Sequence, residues 1–491
     1  MKLETPLFAG LNIKTLNKKR QNSAQKAAAE VSLLKQKSLT QLSHCFHDFI
    51  PHKVLKKSEL KAHSRHRLYS KSNTFWAFFS QSIDADGGCK EVVKKVQAYA
   101  ALKDLKQPDS STSAYCQARQ KLVKSDLMKI LKHTSGRLED LTDRSFLNGR
   151  RVVVVDGTGV SMPDTAENQE QWPQQSHQKE GCGFPSARIC AFFSLATAGL
   201  LSFEIGNKKS AELSLFRKQW GTFRGGDIFL GDKGFCSYFD QSNLKDRGVD
   251  SVITLARRLP KTEIEAEKKL GENDLLITWL KPVWNPRGAY SREQWEKLPD
   301  RLKLRQIHVR VTLPGFRTES FYVITTLTDS KQYKAEEIAD LYLSRWEVEL
   351  YFKDIKTTMG MDVLRCKSPD MVEKEIIMHF IAYNGIRKLM YEAGEECGLE
   401  LRRISFKGSL QALRQWEPHL NQAGISQKEK FRLLSSLYDA IADDKVPYRP
   451  GRQEPRCVKR RPKPYQLLTK NRHHMKEIPH RSKYRAKQTL T

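Results

Sequence analysis

Hydrophobic and polar positions follow different periods along the chain, and each period predicts a different kind of secondary structure. From about residue 27 to residue 132, apolar residues recur at three- and four-residue intervals, which is typical of amphipathic helices. Residues 114–131 form the clearest case, because Ser111, Thr112 and Ser113 precede them and such residues favour helix N-termini. The pattern therefore predicts a helical N-terminal region.

The pattern changes at Arg151, where Val152 to Val155 form a β-branched run of the kind found in buried central strands. Strand, hairpin, helix, strand, helix and strand follow in order, which predicts an α/β domain with a mixed central sheet. After the valines, the elements are a hairpin at residues 189–197 and 200–205, a helix at 210–220, a strand at 227–230, a further helix and a strand at 251–255.

Beyond residue 258 the pattern is mostly β and then helical again. Strand character recurs at residues 275–280, 305–313 and 320–327, and a helical segment begins near residue 335 and resumes at 371–395. The tail from residue 446 to residue 491 holds fourteen Lys and Arg against two acids and is interrupted by prolines. This tail is too polar to build a core, and both a DNA clamp and a disordered solubilising tail fit it.

Charge adds a class of partner to this architecture. Lys and Arg number 85 against 56 Asp and Glu, which leaves a net charge of +29. So positive a surface repels itself, and a polyanion such as nucleic acid is the natural partner. An anionic membrane surface and a merely soluble basic protein also fit the charge alone.

The spacing of the cysteines and the hydropathy of the chain give information about the cellular compartment. The 9 cysteines include no C-x-x-C pair, which argues against a zinc ribbon or a thioredoxin-type site. Their odd number and scattered spacing fit a reducing compartment better than a disulfide framework. The longest uncharged stretch, residues 189–203, is shorter than the roughly 20 residues that span a bilayer, and it reads better as a hairpin. We expect an intracellular protein without a membrane segment.

Two aspartates follow apolar strands, where ligand sites collect in open α/β sheets. Asp156 stands after the valines in VVVVDGT, and Asp232 stands after the next core strand in IFLGDKGF. Taken singly, each has an ordinary interpretation as a strand-ending turn. Together they are harder to dismiss, because buried strand ends seldom tolerate an unpaired carboxylate.

A third acid lies in the segment DLYLSRWEVELYFKDIKTTMG. Tyr342, Arg345, Glu349 and Lys356 fall on one stripe of a regular helix, which therefore carries a phenol, two cations and a carboxylate. An Arg–Glu ion pair on a solvated face would be the ordinary interpretation. Against it, apolar side chains elsewhere around the helix predict that the segment is packed inside the fold: Leu341, Trp346, Leu350 and Phe352.

These residue types suit phosphodiester chemistry. Two divalent ions can activate a nucleophile and stabilise a leaving oxygen, and Mg²⁺ prefers oxygen ligands, so a few carboxylates and a phosphate suffice. Neighbouring cations could hold phosphates. Asp164, Asp227, Asp240 and Asp354 are spare carboxylates that could compete for the ligand positions.

At this point the chain resembles a known family. Tyr342-(2)-Arg345-(3)-Glu349-(6)-Lys356 matches the Y-(2)-R-(3)-E-(6)-K signature of bacterial insertion-sequence transposases of the DDE type, in particular the cut-and-paste group that frees its ends through hairpins. DGT at Asp156 and GDKGF at Asp232 resemble that family's first two acidic motifs. The resemblance covers roughly residues 151–384.

The resemblance implies an RNase H-like catalytic core that is interrupted by a β-rich insertion and flanked by helical N-terminal and C-terminal regions. The domains expected on this basis are a helical DNA-binding region at residues 1–150, the first part of the core at 151–257, the insertion at 258–330, the second part of the core at 331–395, a helical region with a possible dimer contact at 396–445 and the basic tail at 446–491.

It also implies the roles of single residues. Asp156, Asp232 and Glu349 would coordinate two Mg²⁺ ions, for which Mn²⁺ could substitute, while Arg345 and Lys356 would hold phosphates near the cut. Tyr342 would contact DNA beside a flipped base, whose extrusion is commonly offset by aromatic stacking. Three tryptophans of the insertion are candidates for that stacking, although burial in the insertion's own core is the ordinary interpretation of each: Trp279, Trp284 and Trp295.

The function implied is excision and strand transfer at terminal inverted repeats by a bacterial, nucleoid-associated enzyme. Its partners would be double-stranded transposon ends and target DNA, engaged by a homodimer. A metal-dependent nuclease or resolvase on the same fold is one alternative, and a catalytically silent DNA-binding descendant of a transposase is another. The segments Asn207-Lys208-Lys209 and Arg257-Arg258 could contact phosphates or form solvated basic turns.

Overall fold

A computed structural model describes the central part of the chain. The residues described are 46, 49–56, 68–102, 104, 106–142, 146–176, 178–179, 181–207, 210–255, 259–286, 288–310, 320–420, 426–447 and 474. The predictions for the first 25 residues, for Lys208, Lys209, Arg257 and Arg258, and for nearly all of the basic tail lie outside these residues. No helix among those described is long and apolar enough to cross a membrane.

The N-terminal described region is helical, as the periodicity predicts. Its helices are α1 (His52–Leu55), α2 (Lys71–Ile83), α3 (Cys89–Leu102), α4 (Ser113–Gln120) and α5 (Lys124–Glu139). Trp76, Phe78 and Phe79 of α2 are fully buried, so this aromatic cluster belongs to the core.

The prediction of one helix over residues 114–131 is wrong. The chain leaves helical geometry after α4, and Val123 adopts an extended conformation before α5 begins. No residue between the two helices is a strong helix breaker, so local propensity did not signal the break. Leu122 is buried in the turn, which indicates that tertiary packing decides the geometry there.

A mixed sheet forms the centre of the molecule. Its strands in chain order are β1 (Val152–Ser161), β2 (Ser186–Ser194), β3 (Leu200–Gly206), β4 (Ile228–Gly231), β5 (Asp250–Leu255), β6 (Ile264–Gly271), β7 (Asp274–Leu280), β8 (Arg301–Arg310) and β9 (Ser320–Thr325). Their order across the sheet is β3-β2-β1-β4-β5-β9-β8-β7-β6. β1, β4 and β5 are parallel neighbours, and the other pairings are antiparallel.

The mixed α/β architecture and the 189–205 hairpin are confirmed. The strands beyond residue 258 continue the same sheet, because β9 pairs with β5 on one side and with β8 on the other. The strand β6 was not predicted from the sequence. Its run of charged residues hides it, and such charges are typical of a strand at a sheet edge.

The helices that follow β1 along the chain cover both faces of the sheet. They are α6 (Ala166–Gln171), α7 (Glu212–Lys218), α8 (Tyr238–Asp246), α9 (Arg292–Glu296), α10 (Ala335–Leu343), α11 (Glu347–Lys353), α12 (Pro369–Cys397), α13 (Phe406–Leu420) and α14 (Gln427–Asp443).

The valine run is buried on both sides, as predicted for a central strand. Val152 and Val154 belong to the main core with residues of α11 and α12, whereas Val153 and Val155 pack with Leu215 and the rest of a second cluster on the α7 side. Successive side chains of a strand point to opposite faces, so β1 separates two cores. This position makes β1 a rigid base for any group at its carboxyl end.

Candidate active site

Asp156 lies inside β1 rather than directly after it, because the strand continues to Ser161. It pairs with Ala191 of β2 on one side, whereas β1 pairs with β4 on the other side only as far as Val154. Asp156 therefore stands where β1 extends beyond its parallel neighbour. Its Oδ1 accepts the backbone N–H of Gly157 at 2.7 Å.

Burial raises the pKa of Asp156 to about 6. The Gly157 N–H and the positive charge of Arg345 oppose this rise in pKa, and the negative charges of Asp232 and Glu212 add to it. Hydrogen bonds and charges shift a pKa mainly at short range. Gly157, Arg345, Asp232 and Glu212 are therefore close neighbours of Asp156.

Asp232 follows β4 and begins a single 3-10 turn, where its Oδ1 accepts the Gly234 N–H at 2.8 Å. Val154 of β1 is in register with Leu230 of β4, so Asp156 and Asp232 each lie two residues beyond a paired position. The two carboxylates therefore leave neighbouring parallel strands at the same level. The sequence prediction that they share one end of the sheet agrees with this geometry.

The segment that carries Glu349 is not one regular helix, so the prediction of a uniform stripe is wrong. α10 ends at Leu343, a 3-10 turn covers Ser344–Trp346, α11 covers Glu347–Lys353, and a π-helical turn covers Asp354–Thr358. A 3-10 turn has fewer residues per turn than an α-helix, and a π turn has more. The number of residues between two positions therefore no longer gives the angle between their side chains around the helix axis. Only between Arg345 and Glu349 does the residue spacing still agree with the angle expected for an α-helix.

The four signature residues differ widely in exposure. Tyr342 and Arg345 are buried, the Glu349 side chain is 55% exposed, and Lys356 is half-buried on the π turn. An Nη atom of Arg345 lies 3.6 Å from a carboxylate oxygen of Glu349. Burial raises the pKa of Tyr342, against the effect of the neighbouring Arg345.

The predicted packing of this segment holds only in part. Leu341 and Phe352 are buried, but Trp346 and Leu350 are 41% and 57% exposed. The Arg345 guanidinium lies over the Trp346 ring, 4.5 Å from its centroid. Since these two apolar side chains are one helical turn apart, they place an exposed apolar surface beside Glu349.

Contacts with the sheet hold α11 above the site. Alternation along β1 places Asp156 on the same face as Val154, and this is the face against which α11 packs. Phe193 of β2 contacts the rings of Tyr351 and Phe352, with centroids 5.5 and 5.4 Å away. These contacts fix the helix that presents Glu349.

The structure thus groups Asp156 with Asp232, and it connects Glu349 to Asp156 through Arg345. Within the part of the chain that is described, no three His, Cys, Asp or Glu side chains stand close enough to hold a metal ion as they are. The donors are carboxylate oxygens, the class that Mg²⁺ prefers. Asp156 and Asp232 each have one carboxylate oxygen that accepts a hydrogen bond from a backbone N–H, which leaves both carboxylates able to accept further bonds.

Three of the spare acids are held by arginines. Asp227 accepts from Arg151, Asp240 accepts from Arg217 through both oxygens, and Asp354 accepts from Arg387 at 2.8 Å. Asp164 accepts from the Gln169 side chain instead. The arginine pairs satisfy their carboxylates, so these acids are poor competitors for the ligand positions.

Two of the three candidate tryptophans are core residues, since Trp279 and Trp295 pack in the cluster between α8 and the β7–β8 strands. Trp284 is half-buried beside Val283, which is 94% exposed. Its buried Nε1–H has no acceptor among the described residues.

Glu212 lies beside this site and was not singled out from the sequence. It is the first residue of α7, and its carboxylate lies against Gly157, next to Asp156. Nothing in the local pattern SAELSLF marks it, because the contact crosses from a helix to a strand more than fifty residues earlier. A glycine directly after an acidic strand residue was the one available signal.

Comparison with known proteins gives three results. Residues 147–384 match the family model described as Transposase DDE domain. The chain is 28% identical over 370 residues to the transposase InsG of insertion sequence element IS4 from Escherichia coli strain K12, across 74% of this chain and 80% of that protein. It is 37% identical over 60 residues to the transposase of insertion sequence element IS421 from Escherichia coli, across 12% and 16% of the two chains.

A solved structure also shows likeness over most of the chain. The cryo-EM structure of a piggyBac transposase synaptic complex with hairpin DNA matches with a TM-score of 0.37 and 11% identity, over 84% of this chain and 85% of that one.

Proposed function

The chain belongs to the insertion-sequence transposases of the DDE type, and on this basis we propose that it excises and inserts its element by a cut-and-paste route at a single carboxylate site. In this proposal Asp156, Asp232 and Glu349 hold two Mg²⁺ ions. The observation that carries it is the placement of Asp156 and Asp232 at one level on neighbouring parallel strands, with acceptor capacity left over.

The donor set fits the metal in kind. Carboxylate oxygens on rigid strand ends are what Mg²⁺ accepts, and the ion would supply an activated nucleophile and charge stabilisation at the leaving oxygen. Asp156 and Asp232 stand on strands and provide the fixed part. Glu349 is more exposed and lies on a short helix between two irregular turns, so it is the group that adjusts when DNA and metal bind.

The cations beside the carboxylates would position the DNA. Arg345 is buried next to Asp156 and Glu349, where it can bind a phosphate oxygen close to the scissile bond. Tyr342 lies beneath Arg345, 6.0 Å from ring centroid to guanidinium carbon, and would act on DNA through that arginine. Lys356, on the π turn, would contact a phosphate further along the strand.

We propose the hairpin-forming subgroup from the complete Y-(2)-R-(3)-E-(6)-K spacing, with release by plain double-strand cleavage as the alternative. Of the insertion tryptophans, Trp284 is the one to propose for stacking on a flipped base, because it is only partly buried where it packs against the cluster that contains Trp279 and Trp295, and its Nε1–H has no acceptor among the described residues. Stacking of this kind is worth about 1–3 kcal/mol per base.

The same proposal gives the domains their roles. β3-β2-β1-β4-β5, with β1, β4 and β5 parallel, would be the RNase H-like core, and β6 to β8 would be the insertion that reaches DNA. The helices before β1 would bind the transposon ends. α13 and α14 would contribute to a homodimer that pairs two ends.

One assay tests the proposal. Purified protein is incubated with labelled duplexes that carry the element's own ends, with a target plasmid and with Mg²⁺, and the products are separated on denaturing gels. We expect nicks at the element's end, hairpin ends and joined products in the plasmid. Cleavage without joining would instead favour a nuclease, and binding without cleavage would favour a silent DNA-binding protein.

A further inference from the structure

Two cysteines from different helices lie next to each other in the N-terminal region. Cys89 is the first residue of α3, and Cys116 lies in the middle of α4. Their thiols share a hydrogen bond, which is the largest single influence on the pKa of each. Both are free thiols and both are partly exposed, so a small molecule in solution can reach them. The structure therefore presents an accessible pair of thiols in contact.

The Gln81 side chain connects the two helices beside these thiols. Its Nε2–H donates to Cys89 Sγ at 3.7 Å, and its Oε1 accepts from the Tyr115 hydroxyl of α4 at 2.7 Å. The same Oε1 accepts from Arg119 Nη1 at 2.9 Å, about one helical turn beyond Cys116. Because Gln81, Tyr115 and Arg119 are all buried, these hydrogen bonds hold α4 in place against Cys89.

Arg119 is a buried cation without a carboxylate partner among the described residues. It is 8% exposed, and its Nε–H has no acceptor in the part of the chain that the structure describes. Burial disfavours the charge of Arg119, and the largest charge effects that favour it come from one tyrosine and three thiols: Tyr115, Cys366, Cys89 and Cys116. A buried guanidinium is unfavourable unless an anion lies near it. A thiolate is the anion that these surroundings can supply.

The surroundings of Cys116 favour its thiolate. The Cys89 S–H donates to it, burial opposes its charge, and the Arg119 guanidinium and the Thr112 hydroxyl favour it, so the pKa of Cys116 is lowered to about 6. The same hydrogen bond, together with burial, raises the pKa of Cys89 and keeps it a thiol. At neutral pH one sulfur is thus a nucleophile and its neighbour a proton donor. Burial raises the pKa of each remaining titratable neighbour and keeps it neutral: Tyr69, Tyr115 and Cys366.

We propose that Cys116 and Cys89 form a site of oxidation by hydroperoxides, in which Cys116 is the nucleophile and Cys89 closes a disulfide between α3 and α4. The Cys116 thiolate attacks one oxygen of the hydroperoxide, so that an S–O bond forms, the O–O bond breaks and the released oxygen takes up a proton. The Cys89 sulfur then attacks the Cys116 sulfur; an S–S bond forms, the S–O bond breaks, and the Cys89 proton leaves with the hydroxide as water. The two thiols lose two electrons and the hydroperoxide gains them.

The unaltered full-length chain provides the first test. Reduced protein is treated with hydrogen peroxide in the presence of a chelator, digested without reductant and analysed by mass spectrometry. We expect a peptide that links Cys89 to Cys116, formed about fivefold faster than the exposed Cys397 is oxidised, because more of Cys116 is thiolate. Dithiothreitol should remove the link. If Cys397 is oxidised at least as fast, or if the first disulfide joins other cysteines, the inference is overturned.

Matched variants separate the roles of the two thiols. Cys89→Ser removes the thiol that closes the disulfide, so Cys116 should persist as a sulfenic acid that dimedone labels. Cys116→Ser should show no dimedone label on Cys89, and the control Cys397→Ser should form the link at the rate of the unaltered chain. Alkylation of Cys116 by iodoacetamide should reach half its maximal rate at about pH 6 in Cys397→Ser. A midpoint at the pH of an ordinary thiol, or labelling of Cys89 instead of Cys116, would contradict the assignment of the nucleophile.

Discussion

Aspartates at the two ends of the parallel strands differ in their hydrogen-bond partners. At the amino end, Asp227 precedes β4 and accepts two hydrogen bonds from Arg151, at 2.6 and 3.0 Å, and one from the Arg224 backbone. At the carboxyl end, Asp232 follows β4 and accepts a single backbone N–H from the residues that the structure describes. Five residues thus separate a carboxylate that is saturated by the protein from one that is not.

The neighbouring strands repeat this difference. Asp250, at the start of β5, is paired with Arg150 at 2.7 Å, whereas Asp156, where β1 extends beyond β4, accepts only the Gly157 N–H among the described residues. Ion pairs between arginines and aspartates stabilise the amino end. The unpaired carboxylates at the other end lower stability unless a ligand satisfies them, which is a common property of functional sites. Four measurements test this difference between the two ends.

The largest effect is expected at the carboxyl end, on catalysis. Asp232→Asn or Glu349→Gln should lower the cleavage rate about 10³-fold or more, because each removes a metal ligand of the proposed site. Binding to the transposon ends, measured by gel shift, should remain close to that of the unaltered chain. Equal loss of cleavage and binding would remove these residues from the ligand set.

At the amino end, the effect should fall on stability. Asp227→Asn breaks a buried ion pair and leaves Arg151 with Glu139 as its one charged partner among the described residues, which should lower the free energy of unfolding by about 3 kcal/mol. Chemical denaturation measures this change. Cleavage per folded molecule should be unchanged, and a catalytic defect as large as that of Asp232→Asn would erase the contrast between the two ends.

The third prediction concerns pH. Since the pKa of Asp156 is raised to about 6 in the folded chain, the folded state takes up a proton more readily than the unfolded state as pH falls. Without divalent metal, this carboxyl should make the chain more stable at pH 5 than at pH 7.5, by on the order of 2 kcal/mol. Calorimetry of the unaltered chain and of Asp156→Asn isolates the contribution, which should vanish in the variant.

The smallest effect is expected on DNA affinity. Lys356→Ala should weaken end binding by several-fold and reduce the slope of log affinity against log salt by about 1, because one phosphate contact is lost. Lys353→Ala is the matched control, since Lys353 is exposed on the same segment three residues earlier. An unchanged slope for Lys356→Ala would take this lysine off the list of phosphate contacts.

The sequence predicts the central sheet well because its signals are local. The valine run, the 189–205 hairpin and the aspartates after two apolar strands each depend on a few consecutive residues. The 121–123 break and the irregular turns around Glu349 escape prediction, since tertiary packing overrides helical periodicity there. The position of Glu212 escapes for the same reason, because its contact with Gly157 joins a helix to a distant strand.

The charged edge strand β6 has a consequence for how copies of this chain can meet. Lys268 and Lys269 are exposed on the outermost strand, and Glu265 on the same strand pairs with Arg301 of β8. To add a strand from another molecule at this edge, like charges would have to be brought face to face and stripped of water. The edge is therefore protected against indiscriminate sheet-to-sheet aggregation even at high protein concentration.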